Sequence, residues 1–188
     1  MVVWGQGPAA SDPIRAARAR VEAHPDDAAA LVDLGRLYYD AGQLSEALGA
    51  FRRAADVDPG TVEPLANISV VLIELGHFHE AIEALDAAQR LAPEDPFLLC
   101  QVAAARSAMG EVEASVRALL QAIAIDPGNQ TAHYRLGVAF AEAGIYKEAI
   151  REWQAVLRSD ETSDIAAMAR RNITLARSRM SASRGGSG

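Results

Sequence analysis

Four histidines, one cysteine and a few adjacent carboxylates are the residues in this 188-residue chain whose types could do chemistry. His77 and His79 flank Phe78, where a helix is expected to begin. Two positions apart on a helix, their side chains diverge, so one metal ion cannot readily take both; surface histidines are the reading. Cys100 stands alone, which rules out an internal disulfide, and has no histidine near it in sequence. It reads as a small buried or groove-lining thiol rather than a nucleophile. The carboxylate pairs Asp26-Asp27 and Asp160-Glu161 fall where helices start and stop, and capping explains them. The chain contains no phosphate-binding GxxxxGK[ST] loop, no GxSxG elbow and no HExxH pair. Nothing here supports an enzyme, and no catalytic, cofactor or metal residue is assigned.

Composition narrows the classes further. Half the residues are apolar but only 5% are aromatic. Abundant alanine with few β-branched runs favours helices that pack closely. No stretch approaches the roughly 20 apolar residues of a membrane helix, and the start lacks a basic-then-apolar signal pattern, so a cytoplasmic protein is expected. The net charge of −7 is uneven: +2 over residues 1–20, −13 over 21–163 and +4 over 164–188. An acidic body lacks the basic stripe that nucleic acid calls for. The basic ends read as solvated surface. Trp4, beside Val3, is a partner anchor, a residue tucked onto the domain, or part of a disordered end.

The elements that would position any site are set by a repeat. Pro25, Pro59, Pro93 and Pro127 fall 34 residues apart, and so do Gly42, Gly76, Gly110 and Gly144. Between them run matching columns. Leu34, Ile68, Val102 and Leu136 are apolar; Phe51, Leu85, Leu119 and Trp153 are large. Small residues hold Gly35, Ser69, Ala103 and Gly137, and also Ala47, Ala81, Ser115 and Ala149. Each cycle starts with a residue able to cap a helix (Asp27, Thr61, Asp95, Asn129). A first helix with apolar residues three and four apart follows. The glycine permits the positive φ of a tight turn, and the next proline ends a second helix. Such a hairpin cannot bury its apolar face alone, so stacked neighbours must complete the core.

Leu31, Leu34, Gly35, Tyr38, Ala47, Phe51, Ala54 and Pro59 sit at the signature spacing of the tetratricopeptide repeat family, whose 34-residue period the chain resembles over 25–161. Three positions depart from the pattern: Arg106 stands in a column of Tyr38, Leu72 and Phe140, His133 in a column of leucines, and Glu161 where a fifth proline would fall. The resemblance implies an all-α, right-handed solenoid of four hairpins (25–58, 59–92, 93–126, 127–161). An N-terminal half-repeat helix over 12–24 precedes them and a capping helix over 162–180 follows, with tails at 1–11 and 181–188.

The resemblance also implies a protein or peptide partner, helical or extended, docked on a concave face built from the first helices. On this sequence the face comprises Val32, Arg36, Tyr39, Glu63, Asn67, Val70, Ile73, Glu74, Phe97, Gln101, Tyr134, Arg135 and Val138. Val32, Tyr39, Val70, Ile73, Phe97, Tyr134 and Val138 are more apolar surface than the core face requires, and are expected to be exposed. They would take either a partner's segment, as in an adaptor or assembly factor, or the N-terminal segment or a second copy of the chain, as in a self-associating scaffold. A regulatory subunit of an enzyme complex is the third class. Of the residues that would clamp a chaperone's terminal carboxylates, Asn67 is in place and the lysines are missing, so that subtype is not expected.

Overall fold

The computed structural model describes residues 13–185, which form ten helices and no strand. The assignments to Trp4 and to residues 1–11 fall outside the described residues. The chain divides into two compact units between Ala92 and Pro93.

In the first unit, α1 (Pro13–Ala23) precedes two hairpins, α2 (Ala28–Asp40) with α3 (Leu44–Val57) and α4 (Val62–Glu74) with α5 (Phe78–Leu91). Their shared core holds Leu31, Leu34, Tyr38, Phe51, Ile68 and Leu72. α1 buries Val21 there and is tied down by polar contacts. The Arg18 guanidinium lies over the Tyr38 ring and donates to its hydroxyl at 2.6 Å, and Arg20 meets Asp33 at 3.1 Å.

The turn inside each hairpin is built the same way. Gly42 has φ +72°, and the next amide, Gln43 N–H, reaches back to the Tyr38 carbonyl at 2.8 Å. That bond closes the helix end only because glycine carries no Cβ to oppose a left-handed backbone. Gly76, Gly110 and Gly144 repeat it. At the helix starts, Asp27, Asp95 and Asn129 each accept a first-turn amide. Thr61 does not: its hydroxyl donates to the Asp58 carboxylate, and its oxygen accepts no first-turn amide.

In the second unit, α6 (Pro96–Ala108) pairs with α7 (Val112–Ile125) and α8 (Gln130–Glu142) with α9 (Tyr146–Ser159), and α10 (Asp164–Gly185) packs on α8 and α9. The polar departures from the repeat are satisfied where they stand. Arg106 donates to Glu111 at 2.6 Å. His133 is held between Glu152 (2.7 Å) and the Pro127 carbonyl (3.1 Å). Where a fifth proline is absent, Asp160 ends α9 by accepting from both the Thr162 amide and hydroxyl; these bonds hold its carboxyl below the usual range.

α10 is longer than the 162–180 expected, taking in residues 181–185. Ser163 Oγ accepts the Ala166 amide at 3.1 Å, as Asn129 accepts that of Ala132 thirty-four residues earlier. α10 thus starts in the register of a fifth first helix. It buries Ala166, Ala169, Ile173 and Ala176 and leaves Arg170, Arg171, Arg177 and Arg179 exposed.

Candidate functional site

The first helices carry the candidate face, and each unit presents its own. In the first unit, α2 and α4 are joined across their outer edges by two polar contacts. The Arg36 guanidinium pairs with the Glu63 carboxylate, and the Tyr39 hydroxyl donates to Glu74 at 2.6 Å. That hydrogen bond, with burial and the carboxylate's charge behind it, pushes the Tyr39 phenol up to about 12.

Between these contacts lies a cavity of about 270 Å³ lined by Arg36, Tyr39, Asp40, Asn67 and Val70, with Phe51 among its walls. Asn67 Nδ2 is buried and has no hydrogen-bond partner among the described residues. An amide donor left so costs about 1–3 kcal/mol. Ile73 is half-buried against the core. Val32 does not belong to an exposed patch: it is buried in the same core, because the helical turn that carries it also packs inside the hairpin stack.

In the second unit the face comes from three helices. Phe97 is 48% exposed, while Gln101, Tyr134, Arg135 and Val138 are half-buried. A cavity of about 390 Å³ is lined by Ala103, Ser107, Tyr134, Arg135, Val138 and Met168, among others. Met168 is supplied by α10, as is Asn172, whose amide donates to the Tyr134 hydroxyl at 3.2 Å. Tyr134 and Val138 therefore serve partly as packing for α10. The α10 residues were absent from the sequence-derived face. The signal that would have found them is Ser163, one period after Asn129, which puts α10 in first-helix register.

Other reactive groups lie apart from these faces. Cys100 is buried; burial pushes its thiol up, and its sulfur lies 3.7 Å from Asn129 Oδ1. His77 and His79 are exposed, with His77 Nδ1 3.0 Å from Glu80. Among the described residues no three His, Cys, Asp or Glu are grouped to hold a metal ion, and no helix is long and apolar enough to cross a membrane.

Stacked helical hairpins in one repeating register define an all-α repeat protein of the solenoid class. Family models described as tetratricopeptide or TPR repeats match residues 8–61, 39–98, 103–144 and 131–163. The chain belongs to the tetratricopeptide repeat family, a family of protein–protein interaction modules.

Solved structures share the fold. A thermophilic TPR protein of Thermus thermophilus superposes with a TM-score of 0.75 at 19% identity, over 86% of this chain and 89% of that one. MamA superposes with 0.68 at 24% identity, over 79% and 86%. YrrB, described as a TPR protein with an unusual peptide-binding site, superposes with 0.63 at 18% identity, over 89% and 85%. A comparison with curated protein sequences finds no match.

Proposed function

We propose that this chain is an adaptor or assembly factor that binds an extended segment of a partner protein on its first-helix faces, with the α2–α4 cavity as the anchoring point. The observation that carries the reading is Asn67, which lines that cavity and whose buried Nδ2 has no hydrogen-bond partner among the described residues. A buried N–H without an acceptor is destabilising, and a partner's backbone carbonyl or carboxylate supplies what it lacks. Val70 offers apolar contact beside it, while Arg36 and Tyr39 can exchange Glu63 and Glu74 for groups on the ligand.

The test is affinity capture from the native host with three variants. Val70→Asp and Asn67→Leu should each lose the captured partner while the helical circular dichroism is unchanged. Asn67→Leu should also raise thermal stability, since it removes the orphaned donor. Phe97→Asp probes the second unit's face; it is a better probe than Tyr134, which packs against α10. Capture unaffected by all three variants overturns the reading.

A further inference from the structure

The four second helices of the repeats can be compared position by position, and α7 differs from the others. Leu120 stands where Arg52, Asp86 and Gln154 stand in α3, α5 and α9. Val112, Val116 and Leu120 follow one another at spacings of four, so they share one stripe of the helix. Val112 is 56% exposed and Leu120 51%, while Val116, one turn from each, is half-buried against the unit's own core. Residues equivalent to Val112 are half-buried in the other repeats (Leu44, Phe78, Tyr146).

α7 has only two charged residues, Glu113 and Arg117, and both are exposed along one flank of this stripe. Neither has an ion-pair or hydrogen-bond partner among the described residues. In contrast, Arg52 on α3 is engaged by Glu80 of α5.

We propose that the α7 outer face docks against the same face of a second copy of this chain, as an antiparallel helix pair about a twofold axis near Val116. The pattern is self-complementary, which an isologous contact requires. With the axis at Val116, Val112 of each copy meets Leu120 of the other, and Val116 meets itself. The same geometry brings Glu113 of each copy within about a turn of Arg117 of the other, giving two reciprocal pairs for charges that have no partner among the described residues of one chain. The face uses α7 of the second unit and none of the residues that line the Asn67 cavity, so the two readings stand or fall separately. A stripe of three residues makes a small interface, so association belongs in the micromolar range or weaker.

Sedimentation equilibrium from about 5 to 500 μM on the intact protein tests this. The mass-average should rise from 19.9 kDa toward twice that value. Leu120→Asp places in α7 the residue that α5 carries at the same position, so it should keep the fold and abolish the rise. Glu113→Arg alone and Arg117→Glu alone should each weaken association about tenfold, because each sets like charges against one another on both sides of the axis. The double swap Glu113→Arg/Arg117→Glu should restore it to near the unmodified level. A chain that stays monomeric throughout, an association indifferent to Leu120→Asp, or no recovery in the swap each overturns the proposal. Loss of association in Val70→Asp would place the contact between copies in the groove instead and overturn it as well.

Discussion

Gly137→Ala should destabilise the protein, although alanine is the better helix former by about 1 kcal/mol. A Cβ built at Gly137 falls 2.5 Å from Trp153 Nε1 and 2.7 Å from its Cδ1. Ordinary contacts between heavy atoms sit near 3.5–4.0 Å, so the indole would have to retreat by about 1 Å. It has no room to do so: Trp153 is 3% exposed, and its Nε1–H donates to the Tyr134 carbonyl at 3.1 Å. Overpacking costs about 1–3 kcal/mol and the strained hydrogen bond about 1 kcal/mol more. Set against the propensity gain, the net loss is about 1–3 kcal/mol, a fall in Tm of about 2–12 °C for a chain of this size.

Gly49→Ala is the internal control. Gly49 lies mid-helix in α3, with no atom within 4 Å of the added methyl, so this change should raise stability by about 0.5–1 kcal/mol. The two variants, compared by urea and thermal melts followed at 222 nm, should move in opposite directions. Gly137→Ala combined with Trp153→Leu should recover part of the loss, since leucine faces alanine in the third repeat (Leu119 with Ala103). A Gly137→Ala protein that melts higher, as Gly49→Ala does, would refute the close-packing argument.

The remaining predictions concern single sites. Ala81 is fully buried, so Ala81→Leu should overpack the α4–α5 hairpin by about 1–3 kcal/mol, seen as a lower urea midpoint. In a spectrophotometric titration at 295 nm, Tyr39 should ionise near pH 12 and its signal should vanish in Tyr39→Phe. Because its folded value lies above the unfolded one, the stability linked to Tyr39 is fully present below about pH 10 and is lost as pH rises through about 12. Cys100 should react slowly with a thiol reagent at pH 8 in the native protein and rapidly in denaturant, since burial disfavours its thiolate.

The repeat was legible in the sequence because its punctuation acts locally. A glycine at each hairpin turn adopts the positive φ that follows from its lack of a Cβ, and this needs no tertiary information. Even the pairing of small with large residues can be read along the chain. Gly35 and Gly137 belong to the repeats whose large residue is aromatic, Phe51 and Trp153, while Ser69 and Ala103 belong to those with leucine. The candidate face was legible only in part. Spacing within α2 alone could not show that Val32 turns into the core while Arg36, one turn further on, lines a cavity. The angular difference between a core stripe and its flank is smaller than the pattern resolves.

The sequence by itself therefore determined the hairpin turns and the register of the repeats, since these rest on backbone sterics and spacing within one cycle. Only the tertiary structure decided how the polar side chains were used. Arg36 and Tyr39 find carboxylates 27 and 35 residues away, His133 finds one 19 residues on, and Asn67 Nδ2 finds no partner among the described residues. Hydrogen bonds depend on distances of a few tenths of an ångström between residues remote in sequence. Those distances are set by how the hairpins stack, which no single cycle of the repeat contains.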